Sequence, residues 1–163
     1  MDHAIRAFAR VLRKHPAAEL EIWGNGEQEP ALRSLVRKLG IGKHVRFMGW
    51  TSNISKALHK ATASIAVSQT EGFSLSILEA LSHGLPVVAY RFRYGPSTMI
   101  RDGVNGYLVS RGDVEELADA MTKLLDHPWR TKMMGAIAST SRIRYSQQRV
   151  RRAWEDLILS VSR

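Results

Sequence analysis

EGFSLSILEALSHGLPVVAY, residues 71–90, holds a turn, a helix and a strand in one run. Gly72 frees the backbone just ahead of a helix expected from about Ser74 to His83. Ser74 and Ser76 are placed to cap that helix or to hydrogen-bond an anion at its positive end. Leu75, Ile77, Leu78 and Leu81 supply its apolar contacts, and Glu79 lies inside it. Gly84 and Pro86 stop the helix and start the strand PVVAY.

Working outward, the alternation repeats. Upstream, strands are expected at ELEIW, where Leu20 and Ile22 alternate with Glu19 and Glu21, at Val45 to Met48, and at Ser64 to Val67. Between them lie a helix opened by Pro30 and ended by Gly40, and a small helix around Ile54 to Ala61. A first helix should run from about Asp2, as N-cap, to Lys14, with Pro16 blocking its continuation. Downstream, RFRYGPSTMIRDGVNG reads mostly as loop, with a helical turn near Met99. Asn105-Gly106 turns the chain into a strand over Tyr107 to Val109, and Asp113 caps a helix carrying Val114, Leu117, Met121, Leu124 and Leu125. Trp129 to Arg163 reads as helical in two pieces, broken near Tyr145-Ser146. Strands alternating with helices predict an α/β fold: a Rossmann-like open parallel sheet with helices on both faces. Such sheets bind ligands beyond the carboxyl ends of their strands.

The chain has 163 residues, the size of one domain. Its 24 Lys+Arg against 15 Asp+Glu give a net charge of +9, which invites an anionic partner. There is no cysteine, so there is no disulfide framework, thiolate metal site or cysteine nucleophile. No apolar run approaches the ~20 residues that span a bilayer. The first residues lack the pattern of a signal peptide, which sets the expectation of a cytoplasmic protein.

Three strand-end segments are candidate sites. In Gly24-Asn25-Gly26-Glu27, two glycines at a strand-to-helix turn let the backbone approach a phosphate. The dinucleotide fingerprint would need a further glycine where Glu29 stands, and a plain tight turn explains the segment equally well. At the second, Glu71 precedes the helix N-terminus, where a phosphate-bearing substrate would arrive; the competing reading is two solvated glutamates on a packing helix. At the third, Arg91, Arg93 and Arg101 flank Tyr94-Gly95-Pro96 and either bind phosphate, pair with carboxylates or are simply surface. The six histidines have no metal-ligand spacing, and neither a GxSxG elbow nor a P-loop is present. Arg142, Arg144, Arg149, Arg151 and Arg152, with Tyr145 and Trp154 nearby, read as a nucleic-acid or acidic-lipid patch, a solvated face, or a surface toward another part of the protein.

Taken together, EGFSLSILEALSHGLPVVA resembles the signature of the retaining glycosyltransferases of family four, which have a GT-B fold. That family pairs two glutamates with seven residues between them, as Glu71 and Glu79 are here, followed by LEA, a glycine and PVVA. GNGE, VRFMGW, DGVNGYLV and EELADAM are similar to the family in the expected order, so the likeness runs from Asp2 to about Pro128. YGPSTMIRDGVNGYLV further resembles the bacterial branch that glycosylates teichoic acids or serine-rich surface proteins. Two positions depart from the pattern: Arg91 stands where that branch usually has an acidic residue, and Ser74 where a glycine often follows EGF.

The resemblance implies the C-terminal, nucleotide-sugar-binding half of a GT-B enzyme, lacking its first strand. Residues 2–128 would bind the donor, and 129–163 would pack on that unit or on an absent N-terminal acceptor-binding domain. Glu71 would be the catalytic residue against the donor sugar, and Glu79 would hold the ribose hydroxyls. Gly72, Phe73, Ser74, Leu75 and Ser76 would hold the diphosphate and hexose. Gly24 and Gly26 would admit the nucleotide, and Trp50 and Thr51 would meet the base. The expected reaction is metal-free, cofactor-free hexose transfer with retention from a nucleotide sugar, with uridine as the expected base. An anionic acceptor or the inner membrane face would be a further partner, and nucleic acid would not. DHAIRAF resembles the helix after the turn that carries the family's diphosphate-neutralising arginine and lysine. Both are therefore expected upstream of Met1, and this chain alone is expected to be inactive. The other classes weighed are a non-catalytic nucleotide-sugar module, a basic nucleic-acid-binding domain and a dinucleotide oxidoreductase.

Overall fold

The computed structural model describes residues 1–70 and 72–161. Its elements alternate as expected: α1 (Asp2–Val11), β1 (Leu20–Trp23), α2 (Glu29–Lys38), β2 (Val45–Gly49), α3 (Ser55–Leu58), β3 (Ser64–Ala66), α4 (Leu75–Ser82) and β4 (Val87–Tyr90). After these come α5 (Pro96–Met99), β5 (Gly106–Val109), α6 (Val114–Asp126), α7 (Pro128–Ala138), α8 (Ser141–Arg144) and α9 (Gln147–Val161).

Every strand pairing is parallel, and the strands hydrogen-bond in two groups, β1–β2 and β3–β4–β5. Leu20 lies opposite Val45 in the first group; Val88 lies between Ile65 and Tyr107 in the second. No ladder joins β1 to β3 among the described residues. What unites the two groups is α1. Its Ala4, Ile5, Phe8 and Val11 share one buried cluster with Ile22 of β1, Val45 of β2, Val88 and Tyr90 of β4, Val109 of β5 and Leu117 and Met121 of α6.

β4 shows why the expected two-sided architecture forms. Its alternate residues point to opposite faces. Val88 and Tyr90 enter the cluster under α1 and α6, while Val87 and Ala89 enter a second cluster with Ile77, Ala80 and Leu81 of α4, Met99 of α5 and Ala138 of α7. All four strand residues are buried, as an apolar strand covered by helices on both faces requires. At roughly 1.5–3 kcal/mol for each large side chain taken out of water, these two layers dominate the stability of the domain.

Three local expectations are corrected. Asp2 is the first residue of α1 rather than its N-cap; Met1 holds that position and no side chain caps the helix. The C-terminal region forms three helices, not two, because a break at Ser139-Thr140 adds to the one at Tyr145-Ser146. Leu75 is not an apolar contact: it is 72% exposed, whereas Ile77 and Leu81 of the same helix are buried. Helical geometry accounts for this, since Leu75 and Glu79, four apart, share the outward face and Ile77 and Leu81 the inward one. The Asp113 cap, by contrast, forms as expected, its carboxylate accepting from the amides of Glu115 and Glu116.

Two glycines permit close backbone approaches. A Cβ on Gly106 would lie 2.2 Å from the Val87 carbonyl oxygen across the β4–β5 ladder. One on Gly135 of α7 would lie 2.3 Å from the carbonyl oxygen of Gly84, in the turn that ends α4.

Candidate functional site

In a parallel sheet all carboxyl ends lie along one edge, and the expected site residues fall on the segments leaving those ends. The chain leaves β1 through Gly24, whose φ of +103° is open to glycine at little cost. The amide of Gly24 donates to the carbonyl of Gly49, 2.8 Å away, and Gly49 itself has a φ of +72°. This exchange brings the Gly24–Gly26 turn against the segment that leaves β2. Trp50 follows there, 73% exposed, and Thr51 accepts a hydrogen bond from the Asn53 amide at 3.1 Å. Two segments widely separated in sequence thus meet at one strand end, with the exposed Trp50 ring beside them.

The second strand-end segment is the start of α4. Ser74 is the N-cap residue by position, with an extended backbone, but no side chain caps the helix and its first turn holds no acidic residue. The expectation that Ser74 or Ser76 caps α4 is therefore not met. Ser74, buried, instead places its hydroxyl 3.2 Å from that of Ser76. An uncapped helix start leaves first-turn amides at the positive end of the helix dipole, the arrangement that receives an anion. Gly72, Phe73, Leu75 and Ser76 are exposed around it, and Glu79 is exposed on the same face as Leu75. Glu71, expected to be the catalytic carboxylate, lies outside the described residues.

Among the described residues, no hydrogen bond or ion pair joins the Gly24–Glu27 turn directly to α4. The two segments are tied further back: the Ser55 hydroxyl of α3, a few residues beyond Thr51, lies 2.8 Å from His83 Nε2 at the end of α4. The His83 Nδ1 meets the Glu79 carbonyl at 2.8 Å, and the rings of His59 and His83 meet edge to face at 5.1 Å. Nothing in the spacing of residues 55, 59 and 83 signals that contact.

At the third strand end the arginines divide. Arg91 donates to the Leu108 carbonyl at 3.0 Å and pairs with Asp102 at 3.4 Å, while Asp102 accepts from the Leu108 amide at 2.9 Å. Arg91, the departure from the acidic residue usual in the similar branch, thus stitches β4 to the loop before β5. Arg93 stacks over the exposed Tyr94 ring at 5.4 Å, and the Arg101 backbone amide donates to buried Asn105. Near α1, His3 Nδ1 lies 2.6 Å from the Tyr90 hydroxyl, and burial pushes that phenol's pKa up from its ordinary value.

Three further features bear on chemistry. Among the described residues, no group of three or more His, Cys, Asp or Glu side chains is arranged to hold a metal ion. No described helix is long and apolar enough to cross a membrane. An open cavity of about 510 Å³ beside the glycine turn is lined by Gly26, Glu27, Glu29, Pro30, Arg33 and Arg37. In it Arg33 is already committed, paired with Glu29 at 2.7 Å and lying 4.3 Å over the Phe47 ring.

Residues 1–141 match the family described as "Glycosyl transferases group 1". An exopolysaccharide phosphotransferase of Streptomyces coelicolor is 37% identical over 96% of this chain and 17% of its own length. The poly(glycerol-phosphate) alpha-glucosyltransferase of Bacillus subtilis is 37% identical over 76% of this chain and 18% of its own. The crystal structure of a Staphylococcus aureus TarM mutant in complex with fondaparinux, alpha-GlcNAc-glycerol and UDP superposes with a TM-score of 0.90 at 29% identity, over 96% of this chain and 32% of that one. The chain thus spans about a third or less of the length of these proteins.

Proposed function

The chain belongs to the glycosyl transferases group 1 family, and from that premise we propose that it is the donor-binding domain of a retaining glycosyltransferase. In this reading it takes a hexose from a UDP-sugar and passes it to an acceptor such as a cell-wall polymer, glycan, lipid or protein. One observation carries the reading: α4 begins uncapped, with no acidic residue in its first turn and Glu79 on its exposed face. The diphosphate takes the amides of Gly72 to Ser76, the ribose hydroxyls take Glu79, and the nucleotide lies against Gly24, Gly26, Trp50 and Thr51. Glu71 acts at the donor sugar. The leaving diphosphate is stabilised by amide dipoles and fixed positive charge without a metal.

Residues 2–128 form the donor-binding unit, and 129–163 contribute helices that pack on it or on an N-terminal acceptor-binding domain. α7 and α8 lie against α4, while every residue of α9 is exposed, which favours the second destination for α9. An anionic acceptor suits the net charge of +9, and the relative named for poly(glycerol-phosphate) glucosylation supports that class. The expected setting is the cytoplasm, at the inner face of the membrane.

Calorimetric titration of this chain with UDP, GDP and ADP tests the donor site, with UDP preferred and binding lost in Glu79→Ala. Equal indifference to all three refutes it. In a chain that also carries the acceptor-binding domain, Glu71→Ala should lower transfer by about a hundredfold or more. Unchanged transfer would remove Glu71 from catalysis, and no transfer by the unaltered protein would favour the non-catalytic module. This chain alone should show no transfer.

A further inference from the structure

Tyr145 lies between α8 and α9, far in sequence from every candidate site residue. Its ring meets Phe73 edge to face, with centroids 5.6 Å apart and planes at 69°. Its hydroxyl donates to the Thr98 carbonyl of α5 at 3.2 Å, a carbonyl at a helix end that lacks an intrahelical partner. Its amide is held by the Ser141 carbonyl at 3.1 Å, and Arg144 lies 5.6 Å over the outer side of the ring. The half-buried ring packs against the apolar cluster of α4, β4 and α5.

Phe73 itself is 52% exposed and sits between Gly72 and Ser74, where no regular backbone pairing fixes it. Glycine on one side makes this peptide easy to rotate. An edge-to-face aromatic contact supplies both attraction and a preferred angle, so it restrains the Phe73 side chain and the peptide planes next to it. Those planes carry the amides at the start of α4.

We propose that Tyr145 is a positioning residue for the donor: it braces the Gly72–Ser74 loop against α5, and so aims the amides that receive the diphosphate. The inference rests on the donor site proposed above. It also makes the segment after α7 a part of that site.

Tyr145→Ala, Tyr145→Phe and Phe73→Ala in this chain test it, with three readouts: amide hydrogen exchange over residues 72–76, UDP affinity by calorimetry, and thermal unfolding. Tyr145→Ala should speed exchange in that loop and weaken UDP binding by about three- to tenfold, the range expected for losing one aromatic pair. Tyr145→Phe keeps the ring and should restore UDP affinity to within about twofold of the original protein. The Tyr145→Ala and Phe73→Ala effects should not add, because both remove one contact. A lower unfolding temperature in Tyr145→Ala with loop exchange and UDP affinity unchanged would overturn the proposal, leaving Tyr145 a packing residue only. If the unaltered chain binds no UDP, the donor reading falls by itself. Loop exchange then decides: protection unchanged in Tyr145→Ala overturns the brace, and protection lost upholds it.

Discussion

Replacing Gly135 by alanine separates local propensity from tertiary packing. Gly135 lies in the interior of α7, where alanine is favoured over glycine by about 1 kcal/mol. By propensity alone the change should stabilise the protein. In the fold, the new Cβ would stand 2.3 Å from the Gly84 carbonyl oxygen and 3.4 Å from the Gly84 carbonyl carbon. That neighbour is backbone, in a turn where Gly84 has a φ of +76° and Leu85 is hydrogen-bonded to the Ala80 carbonyl, so it cannot swing aside as a side chain would. α7 must then retreat by about an ångström, prising Met134 and Ala138, 3% and 0% exposed, from their clusters. Forced overpacking of this kind costs up to about 3 kcal/mol. Less the helix gain, the net loss is about 2 kcal/mol, or about 4–8 °C in unfolding temperature for a chain of this size. Urea and thermal unfolding of Gly135→Ala measure it. Gly42→Ala is the control, because its added Cβ meets nothing within 4 Å and its φ is not positive, so it should change stability by less than about 0.5 kcal/mol. An unfolding temperature for Gly135→Ala equal to or above that of the original chain would refute the reasoning.

Two further outcomes follow from particular contacts. Asp126 accepts hydrogen bonds from Lys14 at 2.5 Å and His15 at 2.9 Å, and the bond from Lys14, foremost, holds its carboxyl below the usual carboxylate range. A depressed carboxyl stabilises the fold above its unfolded pKa near 4 and loses that contribution as pH falls through the lower folded value, so Asp126→Asn should flatten the acid arm of an unfolding-temperature profile. A mutant profile parallel to the original below about pH 4 would show that the contact contributes nothing. Second, every residue of α9 is exposed; a chain ending at Ser146 should keep its unfolding free energy to within about 0.5 kcal/mol, and a larger loss in urea titration would mean that α9 packs on the domain.

Much of the fold was legible because its signals are local. The apolar run of β4, the capping carboxylate of Asp113 and the Pro30 start of α2 each act within a few residues, and the structure has all three. The expected cap at Asp2 failed because a cap needs a side chain turned back on the first turn, and α1 begins one residue earlier than its polar residue suggested. Leu75 was misplaced because residue type ranks apolarity while exposure depends on which way α4 faces its sheet. The candidate site shows the same division. Its two halves, the glycine turn and the start of α4, are each visible as strand-end segments rich in glycine and hydroxyls. Their joining is not, since it runs through Gly24 and Gly49, and through Ser55 and His83, pairs whose separation in sequence encodes no period.

By itself, then, the sequence determined the alternation of strands and helices and the parallel α/β class. Propensity, hydrophobic period and turn chemistry act over a few residues and need no partner. The tertiary structure alone decided which residues meet. It set α1 as the bridge between the two strand groups, paired Arg91 with Asp102, and brought Tyr145 to Phe73. It also made substitution of Gly106 and Gly135 by anything larger costly, because a contact distance between remote backbones is fixed only when whole elements pack.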